Sequence, residues 1–136
     1  MKRFQLIEHT ADTGLVAYGS SLAEAFANAA YGLFSIIAEI SKVKEAESYP
    51  VEISADDNES LLFNWLNHLI YIFDVEHFLF RRFDISKLTT KKLKAICLGE
   101  KYDPSRHQLK TGVKSATYHM LKVDEGKNQV QVIFDV

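Results

Sequence analysis

The chain has 136 residues, 47% hydrophobic and 25% charged, with 16 Lys/Arg against 18 Asp/Glu and a formal net charge of −2. These values suit a soluble globular protein with one domain, residues 1–136, and a hydrophobic core of ordinary size. They argue against a general polyanion binder, the single Cys97 excludes an internal disulfide framework or a cysteine-based zinc site, and no apolar run reaches the roughly 18 residues of a membrane span.

The chain does not begin with a charged stretch leading into an apolar run, so no signal peptide is expected and the cytoplasm is the expected location. "FQLIEH" (Phe4 to His9) alternates apolar and polar residues as a half-buried strand does, and "GLVAYG" (Gly14 to Gly19) reads as a second short strand. Ser21 with Glu24 three residues on forms a capping-box signature. Behind it Leu22, Phe26, Ala29, Ala30, Leu33, Ile36, Ile37 and Ile40 recur at helical spacing, which predicts an amphipathic helix through Ile40. "YPVEISA" (Tyr49 to Ala55) predicts a strand led in by Pro50. Asp56 with Glu59 then reads as the cap of a second helix that buries Leu62, Trp65, Leu66, Leu69, Ile72 and Phe73.

After Phe80 the pattern changes to short strands: "RRFDIS", "KLKAICLGE", "SATYHMLKV" and "VQVIFDV". "YDPSRHQLKTG" reads as a loop among them, and "DEGKN" (Asp124 to Asn128) as the hairpin turn between the last two. Two helices in the first half and strands in the second predict an α+β fold, two amphipathic helices packed on mostly antiparallel sheet.

Charge is uneven along this order. Arg81 to Lys114 holds ten Lys/Arg against three Asp/Glu, a local +7, while the remainder carries −9. Such a block reads either as a docking surface for a negatively charged partner or as solvated strand faces whose charges scatter in space.

No general catalytic motif is present: there is no phosphate-binding Gly-rich loop, GxSxG, HExxH or CxxC. The five histidines (His9, His68, His77, His107, His119) do not pair at i, i+4, and His68 and His77 suit surface or packing roles. The carboxylates carry more information. Asp12 interrupts an apolar strand region, Asp135 is next to last, and Val136 ends the chain in an α-carboxylate. If the apolar last strand ends beside the first turn, three carboxylates converge, and all-oxygen ligation is what Ca²⁺ or Mg²⁺ takes. The plainer reading makes Asp12 an Asx-turn and Asp135 a solvated terminal acid. His9 reads either as an imidazole bonded to backbone or as a group orienting the Asp12 carboxylate.

"HTADTGLVAYGSSLAEAF", "ESLLFNWLNHLIYIFDVEHFLF", "YDPSRHQLKTGVKSATYHML" and the closing "VQVIFDV" resemble the archease family across nearly the whole chain, with the blocks in the family's order. The resemblance implies a small α+β domain that is not itself an enzyme. It implies an accessory factor of the RtcB-type RNA ligase, which joins RNA ends in tRNA splicing and RNA repair through a guanylylated histidine. Archease promotes that guanylylation and permits multiple turnovers, so RNA and GTP are expected to be met through the ligase. The family's metal-binding acids correspond to Asp12 and to Asp135 with Val136, and its functional lysine to Lys114 of "KSATYH". Two departures are local: Ser115 replaces the usual small Ala, and Thr13 stands where an aliphatic residue is commoner. The implied mechanism is an acidic cluster with an exchangeable Ca²⁺ or Mg²⁺, flanked by Lys114, that reaches the ligase active site and neutralises phosphate charge. Two other readings compete: a metal-dependent phosphohydrolase or nuclease, which has too few clustered acids for two metals, and a general chaperone or RNA-binding module using the basic block.

Overall fold

The computed structural model describes residues 2–9 and 12–136, with the side chains of Glu8 and His9 outside that description. The element order is β1 (Phe4–His9), β2 (Asp12–Tyr18), α1 (Leu22–Ile37), a single 3-10 turn (Ile40–Lys42), β3 (Glu47–Ser54), α2 (Asn58–Glu76), β4 (Phe78–Leu88), β5 (Lys92–Lys101), β6 (Ser115–Ala116), β7 (Lys122–Asp124) and β8 (Gln129–Asp135). Two antiparallel sheets result. One runs β1-β2-β8-β6, with β7 beside β6 on the same edge of β8, and the other runs β3-β5-β4. The α+β expectation is met.

The helices begin where side chains satisfy their first N–H groups. Ser21 Oγ accepts from the Glu24 N–H at 3.1 Å, and the Glu24 carboxylate accepts from the Ser20 N–H at 2.9 Å, one residue earlier than in the standard box. For α2 the cap is Asp57 rather than Asp56. Its Oδ1 accepts from the Ser60 N–H at 2.8 Å, and Glu59 accepts from the Val123 N–H instead of reaching back.

The first helix also stops earlier than its periodicity predicts. Ala38 is extended, because the segment after β5 takes over the helix's last carbonyls. The Lys110 and Thr111 N–H groups donate to Ile37 O (2.8 Å) and Ile36 O (3.2 Å), and Lys110 Nζ donates to Ser35 O. Ile40 is buried, but from the 3-10 turn rather than from the helix face.

Burial of α1 on several sides explains its Ala-rich composition. It packs on β1, β2 and β8 of one sheet and on β4 of the other, with Phe26, Ala29, Ala30, Leu33 and Phe34 enclosed. In α2, Leu61, Leu62, Trp65, Leu66 and Leu69 are fully buried and Phe73 is half-buried, and Trp65 Nε1 donates to Phe26 O at 3.1 Å. Pro50 is tolerated because β3 is an edge strand. Cys97 lies in the core, where burial pushes its thiol up to about 12, so it packs as an inert apolar group.

The stretch read as one strand, "SATYHMLKV", is two. Met120 takes a left-handed backbone (φ 56°), Thr117 donates to Ile133 O through both its N–H and Oγ1, and Gln131 Nε2 donates to Met120 O. The edge of β8 is thereby shared between β6 and β7.

Candidate acid site at the strand ends

The end of the first sheet is built around β8, with β2 on one flank and β6 on the other. Thr13 pairs with Phe134, so Asp12 and Asp135, each one residue further on, stand at adjoining strand ends. On the other flank Ser115 pairs with Asp135, and the Lys114 N–H donates to Asp135 O at 2.8 Å.

Strand parity sets the face. Leu15, Ala17, Val130, Val132 and Phe134 point into the core, so Asp12 and Asp135 share the opposite face with Gly14 and Ile133. At Gly14 a Cβ would come within 2.5 Å of Ile133 Cδ1 and 3.2 Å of Val132 O, and its absence lets Ile133 lie buried across that outer face. Asp135 is exposed, Asp12 half-buried, and Val136 rests partly buried against the core. His9 ends β1 with its backbone paired to Asp12; its side chain, and with it the choice between a backbone-bonded imidazole and one orienting Asp12, lies outside the described residues.

Lys114 is exposed at the end of a segment that crosses from β5 to β6. A buried polar network fixes the near end of that crossing. Glu100 and His107 are the two buried polar residues of the described chain. The Asp103 N–H donates to His107 Nδ1 at 2.9 Å, so the neutral ring carries its proton on Nε2, which donates to Glu100 Oε2 at 2.8 Å. Arg106 donates to both Glu100 oxygens at 3.2 and 2.7 Å, and the Lys44 N–H adds another donor at 2.8 Å. The Arg106 guanidinium is the main reason the Glu100 carboxyl sits at about 2, well below its ordinary range. At the far end the Asn67 amide reaches from α2 to β6, accepting from the Ala116 N–H at 2.7 Å and donating to Ala116 O at 3.3 Å.

Glu100, His107 and Asn67 were not singled out from sequence. The signal for the first two was a carboxylate followed six and seven residues later by Arg-His within a loop. Asn67 carries no local signal, because its partner lies 49 residues away.

The basic block divides into separate groups. Arg81 and Arg82 stand beside Glu45, Lys94 lies 3.6 Å from Glu52, Arg106 belongs to the Glu100 network, and Lys101 Nζ donates to Glu76 O. His68 stacks on Tyr71, and burial lowers its pKa; His77 is the left-handed C-cap of α2. Among the described residues no group of three or more His, Cys, Asp or Glu gathers as a metal cage, and no helix is long and apolar enough to cross a membrane.

Comparison with known proteins follows the same architecture. Residues 4–136 match the family model described as "Archease protein family (MTH1598/TM1083)". The chain is 42% identical over 142 residues to the protein archease of Pyrococcus abyssi, covering all of both chains. It is 40% identical to that of Sulfurisphaera tokodaii over 140 residues, covering 100% of this chain and 99% of the relative. The solution structure of Methanobacterium thermoautotrophicum protein 1598 superposes with a TM-score of 0.84 at 36% identity, with both chains fully covered. The crystal structure of a Thermotoga maritima archease, described as a possible chaperone, shares the fold at a TM-score of 0.63 and 21% identity, over 97% of this chain and 96% of that one.

Proposed function

This chain belongs to the archease family, and we propose that it is the accessory factor of an RtcB-type RNA ligase in tRNA splicing or RNA repair, promoting the ligase's guanylylation and repeated turnover in the cytoplasm. The observation that carries this reading is the register of three strands. Thr13 pairs with Phe134 and Ser115 with Asp135, which joins the first hairpin, the last strand and the Lys114 segment at one end of the sheet.

The donor set suits a hard divalent cation. Asp12, Asp135 and the α-carboxylate of Val136 offer only oxygen, and Ca²⁺ and Mg²⁺ take carboxylate oxygen in preference to nitrogen or sulfur. Two side-chain acids fall short of a three-side-chain cage, so the Val136 carboxylate would supply the third donor, leaving a site that would exchange its ion. When bound, the cation supplies positive charge to the nucleotide phosphates. The chain's own groups do the rest. Asp12 and Asp135 would hold the cation at this sheet end, from which it would enter a partner's cleft. Lys114, a compact cation on a flexible stem, contacts a phosphate there. The Glu100–His107 network and Asn67 fix the two ends of the segment that presents it.

The test is guanylylation of the ligase from the same organism, read as labelled guanylate retained on the ligase. The native chain raises the rate. Asp12→Ala and Lys114→Ala, checked for unchanged melting, lower the stimulated rate at least tenfold. Stimulation that survives Asp12→Ala contradicts the role of the acids. Cleavage of RNA or nucleotide by the pure chain with Mg²⁺ or Mn²⁺, without ligase, favours the hydrolase reading instead.

A further inference from the structure

Arg81 and Arg82, which open the basic block, have no part in the acid site. Together with Arg3 they line a cleft of about 340 Å³. It lies where the outer strands of the two sheets, β1 and β4, both meet α1, whose Ala27, Asn28 and Tyr31 contribute to its lining. Arg3 opens the chain's path into β1 and His9 closes that strand. At 3.4 Å per residue the cleft is therefore about 20 Å from the acid end.

Each guanidinium is held by a contact that leaves other donors open. The Arg3 guanidinium carbon sits 4.2 Å above the centre of the Tyr31 ring. Arg81 Nη1 donates to Val43 O at 3.2 Å, and Arg82 Nε to Asp84 Oδ1 at 3.0 Å. The two carboxylates lining the cleft are each shared between groups. Glu24 accepts from the Ser20 N–H as a helix cap, and the single Glu45 carboxylate is divided between two ion pairs, with Arg81 at 3.9 Å and Arg82 at 3.8 Å. A smaller adjoining cleft of about 240 Å³ shares Arg3, Glu24 and Asn28 and adds Lys2. Four basic side chains thus stand against three acids, Glu24, Glu45 and the Asp84 bonded to Arg82, a local positive excess in a protein whose net charge is −2.

We propose that this cleft binds a nucleotide phosphate, with Arg81 and Arg82 gripping the phosphate oxygens and the Arg3 plane stacking on the base. Guanidinium forks match the oxygens of a phosphate two at a time, and a guanidinium already stacked on an aromatic ring presents its free face to a base. The volume suits a single nucleotide. An acidic peptide would use the forks but leave the Arg3 plane unused. A free nucleotide and an RNA strand carry the same group, and separate probes tell them apart.

The full chain is titrated at low salt with a labelled eight-nucleotide uridylate RNA and, separately, with uridine monophosphate. At least one probe binds, and Arg3→Gln with Arg82→Gln weakens it tenfold or more. Arg81 is left in place because it also serves the Val43 carbonyl. Lys91→Gln with Lys92→Gln, at the turn between β4 and β5, and Asp12→Ala each change binding less than twofold. Binding of the RNA alone assigns the cleft to a strand; binding of the mononucleotide assigns it to free nucleotide. No binding of either probe overturns the proposal, as does an equal loss in both double variants, or an eight-residue glutamate peptide that competes as well as the RNA. Because Asp12→Ala leaves this binding intact, its outcome is separate from that of ligase stimulation.

Discussion

Glu100 makes the stability of this protein depend on pH in a direction that can be worked out. Its folded-state carboxyl sits at about 2 against an ordinary 4.5, because Arg106, the Lys44 N–H and His107 all favour the charged form. A depressed acid stabilises the fold above its unfolded value and loses that contribution as pH falls through its folded value. The native chain therefore loses about 2 kcal/mol between pH 4.5 and 2, a figure reduced for the solvent around Arg106. Glu100→Gln is expected to cost that amount at pH 7 and much less at pH 2.5, as urea midpoints at the two pH values will show. Equal costs at both would contradict the assignment. At this scale the sequence was legible where a residue acts on near neighbours. Ser21 caps as its spacing predicts and Cys97 is a core residue. It was not legible where partners are distant: Glu100 meets Lys44 across 56 positions, and the true cap Asp57 differs from Asp56 only in which side chain reaches the third N–H.

Among elements, β4 and β5 approach too closely at Gly99 to admit a side chain. Gly99 lies opposite Phe80, next to a register shift in β4, and a Cβ there would stand 1.9 Å from Leu79 O and 2.8 Å from the Phe80 Cα. Neither is the movable end of a side chain. Gly99→Ala is thus expected to cost about 1–3 kcal/mol or more and to lower the melting temperature by several degrees, whereas Gly112→Ala, with nothing within 4 Å, leaves melting nearly unchanged. Similar melting of the two variants would contradict the close packing. Periodicity identified both helices and most strands because each buries one consistent face. It overran α1 because Ile40 keeps the apolar spacing while Lys110 and Thr111 capture the last helical carbonyls. It merged β6 with β7 because a left-handed Met120 leaves no mark in an apolar–polar pattern.

Across the whole molecule, topology joins what sequence separates. The first hairpin and the last strand are neighbours because β2 pairs with β8, and the Lys114 segment follows because β6 takes the other edge. Composition alone left the meeting of Asp12 with the chain's end as one option among several, and whole-chain resemblance singled it out. Of the two readings of the basic block the scattered one holds, since folding divides its charges between the Glu100 network, the β4–β5 hairpin and the Arg3–Arg81–Arg82 cleft. In the proposed role the chain turns a single-use ligase into a repeating one. Its most direct test counts RNA joins per molecule of the same organism's RtcB-type ligase, with GTP and Mg²⁺, in the presence and absence of this protein. Several joins per ligase are expected with the native chain and about one without it or with Asp12→Ala; a count that the native chain leaves unchanged would contradict the proposed role.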